Sequence, residues 1–465
     1  MNKIDITKWK EEIIKSTCEL IKIPSVYGES NDSSKPFGNN TSKALEYILD
    51  LGKKLGFKTK NLDGYCGYIE FGEGKEMLGI IGHLDVVPAE DNWKHAPFNV
   101  SIEDGKIYGR GAIDDKGPVI ANLYAMKAVM EQVKINKRVR LILGLNEERD
   151  WKCIEYYKKH EEIPTIAFSP DADFPCIYAE KGVLTTYIAE EYTKYEHEKI
   201  VIANINCNSN AINVVPKYCK IELKINSNEI DKMELLKYAK EQISNNKFNI
   251  EIKQENDKII LVSTGIASHA AHPDLGVNAI SMALIIVNNI LKKYEITIEI
   301  LNEFSKMIGM QYNGENLEIN CEDESGKLTL NVGNCELINN KIKIGMNLRI
   351  PVTTKIDEIE NRFISRFGKN INVSFEGRKE PLYIEKENKL IQILCNTFNE
   401  ITGRKVEPIA IGGATYARAF KNCVSFGANM PGEKDMCHQA DEFITIENLL
   451  LACQIYAEAI YKLTN

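Results

Sequence analysis

The sequence predicts an α/β catalytic domain, built on a mostly parallel sheet, into which an α+β domain is inserted. Three observations support this. Apolar runs of strand length at 78–81, 138–145 and 165–169 alternate with amphipathic stretches of helical period. Chemically capable residues, His83, Glu147, Glu148 and Asp171, stand just where these runs stop, the edge at which α/β sheets build their sites. From about Val183 the pattern changes to alternating, charge-rich strands, and it returns to α/β character near residue 381.

The elements follow in order. Residues 7–22 carry Trp9, Ile13, Ile14, Cys18, Leu20 and Ile21 at helical spacing, and Pro24 closes that helix. After a polar loop at 25–40, residues 41–56 read as a second helix, with Thr41 as N-cap and Gly56 as its stop. Short strand signals lead into 78–81, a fully apolar run that ends at His83-Leu84-Asp85. Residues two apart on a strand point the same way, so His83 and Asp85 share a face. Pro118 suits the first turn of a helix reaching Val133. Strand 138–145, a helix at 151–162 and strand 165–169 complete the alternation. Two strand-rich halves flank a helical stretch at 278–310 and hint at an internal duplication in 183–380. The expected layout is therefore 1–182 with 381–465 as the catalytic domain and 183–380 as the insert.

Composition sets the class. The chain has 465 residues, 44% hydrophobic and 27% charged, with a formal net charge of −8. That is an ordinary globular composition without a nucleic-acid footprint. The N-terminal stretch is polar and amphipathic, unlike a secretion signal, and no run approaches the ~18 apolar residues of a membrane span. The 12 cysteines lack C-x-x-C spacing and read as reduced, core-filling thiols of a cytoplasmic protein.

The chemistry-bearing residues are His83, Asp85, Asp114, Glu147, Glu148, Asp171 and His438. Two imidazoles among carboxylates suit a hydrolytic metal site. The donors exceed what one ion with an open position needs. With Asp114 bridging, they suit a pair of ions about 3.5–4 Å apart, able to hold a hydroxide between them and to polarise a carbonyl. Adjacent residues in extended backbone point opposite ways, so Glu147 and Glu148 divide into one ligand and one general base.

The segments GHLDVVPAEDNW, DGKIYGRGAIDDKGP, NEE, SPDADFP, NVVP, GVNA, NLRIP, GGATYAR and MPGEKDMCHQADE resemble the di-zinc metallopeptidase family of aminoacylases, glutamate carboxypeptidases, desuccinylases and bacterial dipeptidases. The length and insert are most similar to PepV-type (Xaa-His, carnosinase-like) dipeptidases, and the resemblance covers nearly the whole chain. It implies a zinc-exopeptidase-like catalytic domain with the insert as a lid. It implies two Zn2+ ions per subunit, with Co2+ or Mn2+ as substitutes. His83 and Asp171 would hold one ion and Glu148 and His438 the other, with Asp114 shared. Asp85 would orient His83, and Glu147 would be the base. The bond between Asp114 and Asp115 would be cis. In the insert, Asn213, His269 and Arg349 match the family's transition-state and substrate-carboxylate contacts. Gly412, Gly413 and Thr415 match its substrate-backbone loop.

Other residues read as bystanders. Asp115 is expected to bond a loop, Asp173 to lie near the surface or behind the ligands, and His95, His160 and His197 to be solvated. His272 precedes a proline and has no assigned role, and Cys437 is the one thiol near a ligand. Leu145, Arg149 and Glu90 depart from the family's usual residues without removing a ligand, so Arg149 and Glu90 bear on substrate preference. The expected activity is hydrolysis of free dipeptides by a monomer acting on small peptides, with no nucleic-acid or membrane partner. The rivals are an N-acyl or N-succinyl amino acid deacylase of the same chemistry, and an inactive binding protein. The latter predicts loss of a ligand or of Glu147, which the sequence does not show.

Overall fold

The computed structural model describes residues 4–89, 92–207 and 211–465. The chain divides into two compact units. One comprises Met1–Ala179, Tyr383–Ile409 and Ala414–Asn465, the other Glu180–Leu382 and Ala410–Gly413. The short stretch Ala410–Gly413 joins the second unit because its carbonyls are used there. Ile411 O accepts from Lys181 N at 3.0 Å and Gly412 O from Arg349 Nη1 at 2.6 Å.

In the first unit the sheet runs, in spatial order, Lys58–Leu62, Cys66–Phe71, Arg138–Gly144, Met77–His83, Ile166–Ser169, Cys423–Ser425 and Ile177–Glu180. Met77–His83 is parallel to both of its neighbours, and Ile166–Ser169 is parallel to Cys423–Ser425. The outer pairs are antiparallel. The expectation of a mostly parallel sheet is thus corrected to a mixed one with a parallel centre. For the first of these pairs the cause is the length of the connection. Leu62 pairs with Cys66 across a loop whose Asp63 and Gly64 have φ of 50° and 74°, and a connection this short permits only a hairpin.

The central strands form because they are apolar from end to end. All seven residues of Met77–His83 are buried, as are the last six of Arg138–Gly144, the pattern of strands covered on both faces. A Cβ built on Gly82 would meet Val119 of helix Lys116–Gln132, so that helix covers one face. Gly82 pairs with Leu143, which points the same way, and Arg140 therefore faces the other side. There it donates to Tyr157 Oη of helix Lys152–His160 at 3.0 Å and to Glu70 at 2.7 Å.

Two helix starts differ from expectation. The first helix is Lys10–Ile21, preceded by a 3-10 turn at Thr7–Trp9. The second, Asn39–Lys54, begins with Gly38 at the N-cap, and the Thr41 hydroxyl instead donates back to Gly38 O at 2.9 Å. Gly38 has φ 101°, a conformation that glycine adopts freely.

The second unit holds two four-stranded antiparallel sheets. One is ordered Thr329–Ile338, Lys341–Ile350, Gly182–Glu191, Asn372–Lys379, the other Ile200–Asn206, Tyr218–Ile225, Lys258–Thr264, Ile250–Glu255. The first sheet draws strands from both sides of helix Ala279–Lys293, so the sheets do not correspond to successive halves of the sequence. Asn278 caps that helix by accepting from Ser281 N at 3.0 Å. Among the described residues no helix is long and apolar enough to cross a membrane.

Gly82 tests the packing behind the site. An added methyl would lie 2.6 Å from Val119 Cγ2 and 2.7 Å from Asp115 Oδ2. Gly82→Ala should therefore destabilise the protein by about 1–3 kcal/mol, the usual cost of overpacking. Urea denaturation measures this, and an unchanged midpoint would contradict the tight contact.

Candidate active site

The parallel strands set the site. Met77–His83, Arg138–Gly144 and Ile166–Ser169 end at one edge, which places His83, the turn with Glu147 and Glu148, and Asp171 side by side. Asp114 lies just before helix Lys116–Gln132, and its bond to Asp115 is cis. His438 arrives from a distant loop with a left-handed backbone, φ 62°, which is sparsely populated for residues other than glycine and occurs at functional sites.

The donors converge on two centres that share one carboxylate. His83 Nε2 lies 3.0 Å from Asp114 Oδ1 and 3.7 Å from Asp171 Oδ2. His438 Nε2 lies 3.0 Å from Asp114 Oδ2 and 2.9 Å from Glu148 Oε1. The sets His83–Asp114–Asp171 and Asp114–Glu148–His438 each bring their donor atoms within 4.8 Å of one another. A third set, His83–Glu147–Glu148, meets the same test, so Glu147 stands within reach of the donors. Imidazole and carboxylate donors in this number fit a pair of divalent ions.

Asp85 does more than the sequence suggested. Its carbonyl accepts from His83 Nδ1 at 2.9 Å, while its carboxylate Oδ1 is 3.5 Å from that nitrogen. The same carboxylate accepts from the backbone N–H of Glu147 and of Glu148, both at 3.1 Å. One buried residue thus fixes the imidazole through its carbonyl and the turn carrying both glutamates through its carboxylate.

The electrostatics express crowding of like charges. Burial and then the Asp114 charge push Asp171 up to about 6, and the same two causes raise Glu148. Burial, followed by the Asp171 charge, lifts Glu147 well above the usual carboxylate range. Burial opposes ionisation of Asp114, but bonds to His438 and His83 outweigh it and hold the carboxyl low. His438 is pushed up to about 11 by Asp114 and Glu148. Burial disfavours charge on His83, yet Asp114, Asp171 and Asp85 together raise it well above the ordinary imidazole value. Each imidazole is thus held as a counter-cation by the carboxylates.

The bystanders fall as follows. Asp115 is buried, and its Oδ2 accepts from His83 N at 3.1 Å, a bond to the end of a strand where one to a loop was expected. Asp173 is half-buried beside Asn429. His160 and His197 are exposed, while His95 is half-buried and stacks on Tyr108 at 3.9 Å. Cys437 joins none of the donor sets. Glu90 lies outside the described residues.

In the second unit the structure brings several named residues together. Asn213 O accepts from Ala270 N at 2.9 Å, next to the bridge between Val214 and His269. His269 and His272 are exposed, and His269 Nδ1 accepts from Ala271 N at 3.3 Å. A Cβ on Gly412 would lie 2.6 Å from Ala271 Cβ, and Gly413 follows it in the same stretch. Arg349 is buried, and its Nε donates to Asn347 Oδ1 at 2.9 Å. Thr415 belongs to the first unit, where its hydroxyl shares a 2.7 Å bond with Ser425 Oγ.

Arg110 and Glu442 were missed. Glu442, fully buried, accepts from Arg110 Nη1 at 2.8 Å and from the backbone N–H groups of Gly111, Ile113 and Asp114 at 3.0, 3.0 and 3.3 Å. Arg110 also reaches the carbonyls of His438 and Gln439, at 3.4 and 3.3 Å. The pair ties the Asp114 loop to the His438 loop. A charged residue flanked by glycines ahead of Asp114-Asp115 was the available signal.

An α/β sheet whose strand ends gather two imidazoles and four carboxylates defines a hydrolase of the two-metal type. Residues 79–462 match the model of peptidase family M20/M25/M40. The chain belongs to this family. It is 38% identical, over 99% of both chains, to a putative dipeptidase of Bacillus subtilis called YtjP, and 34% identical to a putative dipeptidase of Staphylococcus epidermidis, over 100% of this chain and 99% of that one. Human carnosine dipeptidase 1 shares the fold with a TM-score of 0.58 at 16% identity, covering 99% of this chain and 97% of that one. Aminopeptidase PepT from Bacillus cereus does so with 0.59 at 13%, covering 100% of each chain.

Ions that bind here displace the protons on His83 and His438. Both imidazoles are raised, so they are protonated at neutral pH and lose their protons only as pH climbs. Loading with Zn2+ should therefore tighten as pH rises and release at least one proton per subunit. Calorimetry in two buffers of different ionisation enthalpy counts the protons, and equal heats in both would contradict the arrangement.

Proposed function

We propose that this chain is a zinc-dependent dipeptidase that cleaves the peptide bond of free dipeptides. The observation that carries the reading is the Asp114 carboxylate, whose two oxygens each face a different imidazole at 3.0 Å. In this reading His83 and Asp171 hold one ion, Glu148 and His438 the other, and Asp114 both. Bound ions would supply positive charge that polarises a carbonyl and acidifies water. The residues of the chain do the rest.

Glu147 is the general base. Its backbone is fixed by Asp85, and among the described residues it is Glu148 rather than Glu147 that bonds His438. It takes the proton of the attacking water and passes it to the departing amine. Asp85 positions both Glu147 and His83. His269 supports the developing oxyanion. Arg349 reads the free carboxylate of the substrate with its planar fork, and Asn213, Gly412, Gly413 and Thr415 contact the substrate backbone. The second unit acts as a lid. The reading includes a cytoplasmic location and a monomeric state, the second of which sedimentation tests directly.

Chelation should abolish hydrolysis of dipeptides, and Zn2+, Co2+ or Mn2+ should restore it. Full activity in protein shown to be metal-free would sink the reading. A panel containing N-acyl amino acids and N-succinyl-diaminopimelate alongside dipeptides separates it from a deacylase.

Glu147→Gln should lower kcat by about 10²–10⁴-fold, the range for loss of a general base, with metal content near normal. Glu148→Ala should instead lower metal content. Swapped phenotypes would reverse the two roles. Arg349→Ala should damage kcat/KM for dipeptides far more than for dipeptide amides, which lack the carboxylate. Equal losses would remove Arg349 from carboxylate binding.

A further inference from the structure

The geometry points to a pocket for an acidic substrate side chain beside the Glu147–Glu148 turn, with Arg149 as its cation. This rests on the peptidase reading and adds a substrate class to it. A cavity of about 390 Å³ opens among Tyr27, Pro36, Phe37, Tyr65, Arg149, Asp150 and Lys152, a size that admits a small ligand group.

The two sides of this cavity are fixed to the segments that carry the site. Arg149 directly follows Glu148 in a turn held three ways. Trp151 N donates to Asn146 O at 3.1 Å, Trp151 Nε1 to Glu147 O at 2.9 Å, and Lys152 N to Asn146 Oδ1 at 3.2 Å. On the other side, Tyr27 follows a segment in which Ser25 Oγ donates to Leu84 O at 2.5 Å and Ser25 O accepts from Val86 N at 3.1 Å. Those two bonds bracket Asp85. A group seated in the cavity is therefore held by the same turns that present Glu148 and His83.

The lining has a definite chemistry. Phe37 packs edge-on against Tyr65 at 5.5 Å, and Tyr65 stacks on Tyr156 at 4.2 Å, forming an apolar wall. The Arg149 guanidinium lies 4.0 Å over the Tyr27 ring. A cation–π contact of this kind uses the charge of the guanidinium and consumes none of its N–H donors in hydrogen bonds. Among the described residues Arg149 forms no salt bridge, whereas its neighbours Asp150 and Lys152 pair with each other at 2.5 Å. A cation with available N–H donors beside aromatic walls complements a carboxylate on a short apolar stem, which is the side chain of Asp or Glu.

The test uses the zinc-loaded protein, its Arg149→Gln and Arg149→Lys variants, and the dipeptides Ala-Ala, Glu-Ala, Ala-Glu and Ala-Phe. Arg149→Gln should lower kcat/KM for a Glu-containing dipeptide about tenfold or more relative to Ala-Ala, the scale of a charge-assisted hydrogen bond. Arg149→Lys should recover part of that loss. Equal effects on all four substrates, or an effect confined to Ala-Phe, would overturn the proposal. Calorimetric titration with free L-glutamate reads the pocket without catalysis, and about tenfold weaker binding to Arg149→Gln is expected. If none of the dipeptides is cleaved, the peptidase reading fails and the glutamate titration still decides the pocket. Unchanged glutamate affinity overturns it.

Discussion

One carboxylate governs this structure. Asp114 turns one oxygen toward His83 and the other toward His438. Three further carboxylates, those of Glu147, Glu148 and Asp171, crowd the same donors. Like charges this close repel, so the backbone must hold them where they would not settle by themselves. The fully buried strand Met77–His83, the buried face of helix Lys116–Gln132 and the Arg110–Glu442 clasp all serve that need. Asp85 works the same way on the opposite flank, restraining the Glu147–Glu148 turn through two backbone N–H groups.

Much of the site was legible because strand ends announce themselves. An apolar run that stops at a histidine or an acid marks both an element and the edge where it ends, and His83, Glu147, Glu148 and Asp171 were all visible in this way. The mixed character of the sheet was harder to see. Asp63-Gly64 carried a hairpin signal, but the strong α/β alternation around it suggested crossovers throughout. Thr41 looked like an N-cap by residue type, whereas Gly38 takes that place because the chain enters the helix with a positive φ. The Arg110–Glu442 pair spans 332 residues of sequence, and no local pattern links the two. The role of Asp85 was half visible. Its spacing from His83 was informative, but backbone N–H groups leave no mark in a sequence.

Glu147 and Glu148 show how little residue type alone decides. The two residues are chemically identical and adjacent, and each accepts backbone support from the same Asp85 carboxylate. What differs is direction. Glu148 meets the imidazole of His438 at 2.9 Å, and its neighbour makes no such bond. One step along the turn is enough to give two identical side chains different partners.

The position of His438 sets a timetable for the nascent chain. His83, Asp114 and Asp171, which form one donor set, have all been synthesised once the ribosome passes residue 171. The other set stays incomplete until His438 emerges. Strand Cys423–Ser425, which lies parallel against Ile166–Ser169, also arrives late, so the sheet keeps an open edge while the whole second unit is made. Translation thus delivers the strands of the second unit before the sheet of the first is finished, and Asp114 waits through most of synthesis with only one of its two imidazoles.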